Sequence, residues 1–175
     1  LRAATLVDAA AGCKAIIHNA GWMNTHPYFG WRTWELNLIG TNNVLTAAQM
    51  ASVEKLVYTA SIFTLGVGAN GQPANEETPY NLDRLKFPYV AARRAAQAKA
   101  ERYCAVGLPI VYVYPTYCIG PGVHDLQATP QRQLIAFLRG VMPFYSNGGM
   151  NIVDVRDAAE AHVLAMEQGG VGSKY

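Results

Sequence analysis

The chain has no stretch of about 18 uninterrupted apolar residues, the length a membrane-crossing helix needs. Its opening, Leu1 to Asp8, lacks the basic-then-apolar order of a signal peptide. A cytoplasmic location is the default expectation, with no membrane partner. Charge of one sign is also scarce: 14 Lys and Arg stand against 12 Asp and Glu, a formal +2. The basic residues are scattered and form no stripe of the kind a phosphate backbone demands, so no nucleic acid is expected as a partner. Only three cysteines occur, Cys13, Cys104 and Cys118, too few, too far apart and odd in number for a disulfide framework, and none in C-x-x-C spacing. They read as buried thiols. The four histidines, His18, His26, His124 and His162, have no mutual metal-ligand spacing, and no metal site is expected. An initiator Met is missing as well. The chain starts on a helix-like stretch, Leu1 to Gly12, and stops at Ser173-Lys174-Tyr175 after a Gly-rich turn, so it is expected to be a fragment cut at both ends.

What is present is apolar: 51% of 175 residues, enough for one sizeable core. Apolar runs bounded by turn residues alternate with longer helical patterns, which points to an α/β chain built around a parallel sheet. The first run is Lys14-Ala15-Ile16-Ile17-His18, closed by Asn19-Ala20-Gly21. Trp34, Leu38, Val44, Leu45 and Ala48 recur at helical steps and predict a helix over Trp31–Met50, with Gly40 inside it where a neighbour is expected to approach. A second strand is expected from Lys55 to Ser61, followed by a loop rich in Gly, Asn and Pro through Pro79 that is expected to admit substrate. A helix from Pro88 to Val106 comes next, with Gly107 as its stop. Further elements are a strand Ile110–Tyr114 closed by Pro115, a helix near Gln131–Leu138, a short strand Met150–Val153 and a last helix Val155–Glu167 capped by Asp154 or Asp157. No repeat, low-complexity linker or change of composition marks a domain boundary.

Two features carry chemistry. Tyr89 and Arg93, four residues apart at the start of a helix, share one face. A phenol with an ordinary pKa of about 10 exchanges protons near neutrality only beside a positive charge or a donor to its anion, and the guanidinium is placed to be that charge. Ser61 stands at the carboxyl end of a strand, where open parallel sheets gather their ligands, and its hydroxyl can bond a substrate oxygen. Glu76-Glu77 reads as a solvated loop pair, and the aromatics Trp22, Tyr28, Phe29, Trp31 and Trp34 as packing residues or as the wall of a pocket for an apolar or ring-bearing substrate.

Six blocks in order resemble the extended short-chain dehydrogenase/reductases, the NAD-dependent epimerase/dehydratase family. They are Ile16-Ile17-His18-Asn19-Ala20-Gly21, Asn37 to Val44, Val57 to Ser61, Pro88-Tyr89, Gly120-Pro121-Gly122 and Val153 to Ala159. Within the family the chain is similar to dihydroflavonol reductase-like and hopanoid-associated sugar epimerase-like proteins, through Thr59 to Gly66, Gly107 to Val111, and Met142-Pro143-Phe144-Tyr145 before Asn151-Ile152-Val153.

The resemblance implies a partial Rossmann-like, doubly wound parallel sheet over 1–122 and part of a substrate-binding region over 123–175. It implies NAD or NADP as cofactor, a small-molecule substrate, and a reductase or nucleotide-sugar-type epimerase moving hydride between nicotinamide and a secondary alcohol or ketone. Ser61 matches the residue that orients the substrate oxygen and Tyr89 the general acid/base. The family's helix lysine, which bonds the nicotinamide ribose and lowers the tyrosine pKa, is replaced by Arg93, an exchange of a compact ammonium for a planar fork. Lys99 lies roughly 15 Å further along the helix and does not substitute. Cofactor contacts are implied for His18, Asn19, Ala20 and Gly21, for Tyr89 and Arg93, and for Tyr114, Pro115 and Thr116. The glycine-rich fingerprint G-x-G-x-x-G does not occur in the sequence, and in the family it precedes the point where this chain begins. A homodimer through the two long helices is a further implication. A non-catalytic NAD(P)-binding sensor or scaffold that has lost the family lysine is the competing reading.

Overall fold

The three β-branched runs become the three strands of one parallel sheet. The structure, a computed structural model, describes residues 3–24, 26–69, 72–121, 129–142, 149 and 151–175. Strand β1 is Ala15–His18, β2 is Lys55–Thr59 and β3 is Ile110–Val113, in the order β1-β2-β3. His18 pairs with Tyr58, and Thr59 with Val113, so the carboxyl ends of all three strands meet at one edge. Residues 173–175 run beside β3: Tyr112 donates to the Ser173 carbonyl and Tyr114 to that of Tyr175.

Alternation along the strands divides the core into two layers. Leu56, Tyr58, Ala60, Ile110, Tyr112 and Tyr114 face one side, packed with Leu45, Ala48 and Ala100 from the helical segments there and with Leu108 from the connection that leads into β3. Val57, Val111 and Val113 face the other, against Ala165 of the last helix. Helices on both faces are what a near-continuous apolar strand requires, and each fully buried Leu, Val or Ile contributes roughly 1.5–3 kcal/mol.

The first helix, α1, is Ala3–Ala10. Cys13 follows it and is exposed, while Cys104 and Cys118 are half-buried. This corrects the expectation of three buried thiols: the turn after α1 leaves Cys13 in solvent. The long helix expected over Trp31–Met50 runs from Gly30 to Met50 in three parts: α2 (Gly30–Trp34), a π-helical turn (Glu35–Ile39) and α3 (Gly40–Met50). Nothing crowds Gly40, since a Cβ there would lie 3.9 Å from its nearest neighbour, the Glu35 carbonyl. The expected close approach is therefore absent.

Helix α4 (Pro88–Ala105) has Pro88 in its first turn, where a missing N–H costs nothing. Two residues past its end stands Gly107, whose φ of +104° favours glycine. Beyond β3 lie two helices, α5 (Thr129–Leu138) and α6 (Val155–Gln168), and a two-stranded parallel pair, β4 (Tyr117–Ile119) with β5 (Ile152–Asp154). Asp154 caps α6 by accepting from the Arg156 N–H at 2.8 Å, while Asp157 lies within the first turn. Gly122, His124, Pro143-Phe144-Tyr145 and Met150, the expected start of the last strand, lie outside the described residues.

Candidate active site

Strand β2 ends two residues earlier than its apolar run, because Ser61 leaves the sheet to cap a short 3-10 turn, Ile62–Thr64. Its Oγ accepts from the Phe63 N–H at 3.3 Å, and its carbonyl accepts from the Thr64 hydroxyl at 2.6 Å. The side chain is thereby held at the carboxyl edge of the sheet. From the opposite side Tyr89, second residue of α4, presents its half-buried ring edge-on to Phe63, centroids 6.2 Å apart. Phe63 in turn meets Tyr117 at the same separation.

One turn further along α4, Arg93 is only 6% exposed. Its Nη2 donates to the Thr59 carbonyl, and its guanidinium lies 5.6 Å from the centre of the Tyr58 ring. The ion pairs among the described residues, Arg94 with Asp83 and Arg156 with Asp154, do not involve it. Its Nε is buried without a hydrogen-bond partner. A cation so placed strengthens any negative charge that forms nearby.

Gly21 passes between this guanidinium and Asn37. A Cβ on it would stand 3.3 Å from Arg93 Nη1 and 3.3 Å from Asn37 Oδ1. Asn37 is fully buried in the π-helical turn and clamps Trp22 from both sides, accepting from its N–H at 3.1 Å and donating to its carbonyl at 2.9 Å. A π-helical turn is frequent at functional sites because it re-aims one residue. Here it aims Asn37 at the segment that follows β1.

A cavity of about 240 Å³ opens at this edge. Ser61, Tyr89, Arg93, Asn19, Gly21, Pro115 and Thr116 all border it, so seven of the residues singled out by sequence converge there. Trp22, Met23, Ile62, Phe63 and Tyr117 give it an apolar wall. His18, Ala20 and Tyr114 do not border this cavity. His18 is buried, with Nε2 3.0 Å from the Thr41 hydroxyl, and burial, aided by the Arg93 charge, lowers its pKa to about 4. Tyr114 belongs to the core, where burial pushes its phenol up. Among the aromatics, Trp22 borders the cavity whereas Tyr28 and Trp31 are largely exposed. No group of three His, Cys, Asp or Glu among the described residues is arranged to hold a metal, and none of the described helices is long and apolar enough to cross a membrane.

Three residues to which the motifs assign no role complete the arrangement: Asn37 and Thr59, which lie inside the family-like blocks, and His162. Thr59 Oγ1 lies 2.9 Å from His162 Nε2, with both residues buried. The available signal was a polar residue at an otherwise apolar position, as with Asn37 in an amphipathic helix and His162 between Ala158 and Ala165.

Comparison with known proteins agrees with this fold. A relative from Synechocystis sp. named "Putative dihydroflavonol 4-reductase" is 36% identical over 159 residues, which are 90% of this chain and 46% of the relative. "Cinnamoyl-CoA reductase 1" of Petunia hybrida is 29% identical, over 98% of this chain and 53% of its own length. The crystal structure of gox2253 superposes with a TM-score of 0.89 at 35% identity, covering 99% of this chain and 53% of that one. A nucleoside-diphosphate-sugar epimerase from Pseudomonas aeruginosa does so at 0.82 and 26%, covering 100% and 54%. The chain thus spans about half the length of the relatives it matches. Residues 2–175 match the sequence profile described as the NAD dependent epimerase/dehydratase family, with an α/β parallel-sheet fold to suit, and the chain belongs to that family.

Proposed function

We propose that this chain supplies the reacting centre of an NAD(P)-dependent oxidoreductase or epimerase that moves hydride between nicotinamide and a secondary alcohol or ketone. The observation that carries this reading is the convergence of Ser61, Tyr89 and Arg93 on one cavity at the carboxyl edge of a parallel sheet. When bound, nicotinamide supplies or accepts the hydride. Ser61 orients the substrate oxygen by hydrogen bonding, and Tyr89 gives that oxygen its proton in reduction or removes it in oxidation. Arg93 holds a fixed positive charge one helical turn away, at the border of the same cavity.

The residues present fit the nicotinamide end of the cofactor. A buried cation without a carboxylate partner, an Nε without a hydrogen-bond partner and a glycine whose Cβ would stand only 3.3 Å from Arg93 Nη1 describe a surface ready for a polar, close-fitting group. Asn19, Gly21, Arg93, Pro115 and Thr116 would border it. The apolar wall of Trp22, Met23, Phe63 and Tyr117 supports an apolar or ring-bearing substrate. Trp31, Trp34 and Ile39, left partly exposed on the long helical segment, support pairing into a homodimer.

Cofactor titration by NADH and NADPH fluorescence, followed by absorbance at 340 nm with ring-bearing alcohols, ketones and nucleotide sugars, tests the reading. Net oxidation or reduction indicates a reductase, and substrate interconversion without net absorbance change an epimerase. Binding without conversion of any substrate would overturn the enzyme reading in favour of a sensor or scaffold.

A further inference from the structure

We infer that His162, on α6, is a positioning residue for the Arg93 guanidinium and acts through Thr59. Its catalytic consequence rests on the function proposed above, whereas the link itself consists of three hydrogen bonds. His162 Nδ1 lies 2.6 Å from the Ala158 carbonyl, one turn earlier. A carbonyl only accepts, so Nδ1 carries the proton, and in the neutral ring Nε2 is left as an acceptor. The Thr59 hydroxyl, 2.9 Å away, donates to it. The Thr59 carbonyl accepts from Arg93 Nη2. One residue at the end of β2 is thus tied by its side chain to the helix on one face of the sheet and by its backbone to the helix on the other.

Packing alone does not account for this pair. Thr59 shares a sheet face with Val57, and that face otherwise meets α6 through Val111, Val113 and Ala165. A valine at 59 would fill the same space, and buried polar groups carry a desolvation cost that apolar ones do not. What the pair adds is direction. The Thr59 carbonyl shares its peptide with the Ala60 N–H, which donates to Val113. The bond from the Thr59 hydroxyl to His162 holds the Cα end of the same unit, so the acceptor that aims the guanidinium toward the cavity shared with Tyr89 and Ser61 is fixed from both ends. His162 borders none of that cavity, so it acts at one remove.

The test uses the protein with His162→Leu, His162→Gln and Thr59→Val. The amide of glutamine reaches the Nε2 position, and valine keeps the shape of threonine without its hydroxyl. Two measurements are made: the Nε–H resonance of Arg93, assigned by its loss in Arg93→Lys, and steady-state turnover. In His162→Leu and Thr59→Val the Arg93 resonance is expected to shift and to exchange faster with solvent. In both, kcat should fall about threefold to tenfold, the net worth of one buried hydrogen bond, with KM little changed. Glutamine should restore most of both, and the double variant should be no worse than the poorer single one. Should His162→Leu fail to fold, Thr59→Val breaks the same bond from its other end. An unchanged Arg93 resonance in either folded variant would overturn the link, even in a protein that shows no hydride transfer at all. An altered resonance with unchanged kcat would overturn the catalytic consequence.

Discussion

The Arg93 guanidinium caps the carbonyl of Thr59, the last residue of β2. The reason lies in the ladder. Ala60 donates to Val113 of β3, so the neighbouring Thr59 backbone turns toward β1. Strand β1 has already ended at His18, opposite Tyr58, and the Thr59 carbonyl needs a donor that the sheet does not supply. Arg93 is therefore held by the backbone, with its charge kept at the cavity.

Tyr89→Phe keeps the edge-on contact with Phe63 and removes only the hydroxyl. The expected result is a loss of roughly 10²- to 10⁴-fold in kcat, the range for a general acid/base, with NADH affinity and melting temperature unchanged. Stopped-flow absorbance and thermal denaturation check this. A variant with full turnover would remove Tyr89 from the chemistry.

Arg93→Met and Arg93→Lys separate charge from geometry. Methionine leaves the buried Thr59 carbonyl without its donor, so a stability loss of about 1–3 kcal/mol is expected in urea titration, together with loss of turnover. Lysine keeps the cation but not the fork. It should be less stable than arginine by about 1 kcal/mol, the net worth of one hydrogen bond, while retaining more turnover than methionine. Equal turnover in the two variants would show that the charge is not used.

The strands were legible because β-branched and aromatic runs such as Leu56-Val57-Tyr58-Thr59 have few other uses. Strand β2 was read two residues too long, since a serine at a strand end does not announce that its hydroxyl will turn back to cap a 3-10 turn. The π-helical turn at Glu35–Ile39 was hidden, because one extra residue in a turn barely disturbs an apolar period. Strand β4 is three residues long and exists by virtue of a partner 35 residues away, Ile152 opposite Tyr117, and no local pattern encodes that. In the site, Tyr89 and Arg93 were visible as a helical spacing. Thr59 and His162 were not, since 103 positions separate them and only the folded sheet brings them together.

Gly21→Ala tests the close approach beside Arg93. The added Cβ meets Arg93 Nη1 and Asn37 Oδ1 at 3.3 Å each. Neither neighbour yields freely, since Asn37 is bonded to Trp22 on both sides and Arg93 to Thr59. A loss of about 1–3 kcal/mol is expected from overpacking, together with weaker NADH binding as Arg93 is displaced. Thermal melts and fluorescence titration measure the two effects, and an alanine variant as stable as the parent would show that the segment after β1 is free to move.

His18 should make stability depend on pH. Its folded pKa is lowered to about 4 from 6.5, first by burial and then by the Arg93 charge, so the unfolded chain binds the proton more readily than the folded one. The resulting stability is fully present above pH 6.5 and is lost as pH falls from there toward 4, after which the folded state is protonated too. The difference amounts to something on the order of 3 kcal/mol. Gln in place of His18 keeps a polar atom near the Thr41 hydroxyl, which lies 3.0 Å from Nε2, and does not titrate. Urea unfolding between pH 4 and 8 should therefore show a steeper fall in the parent than in His18→Gln. Because Arg93 contributes to the lowering, Arg93→Met should flatten the same slope in part, and an identical slope in all three proteins would remove His18 as its source.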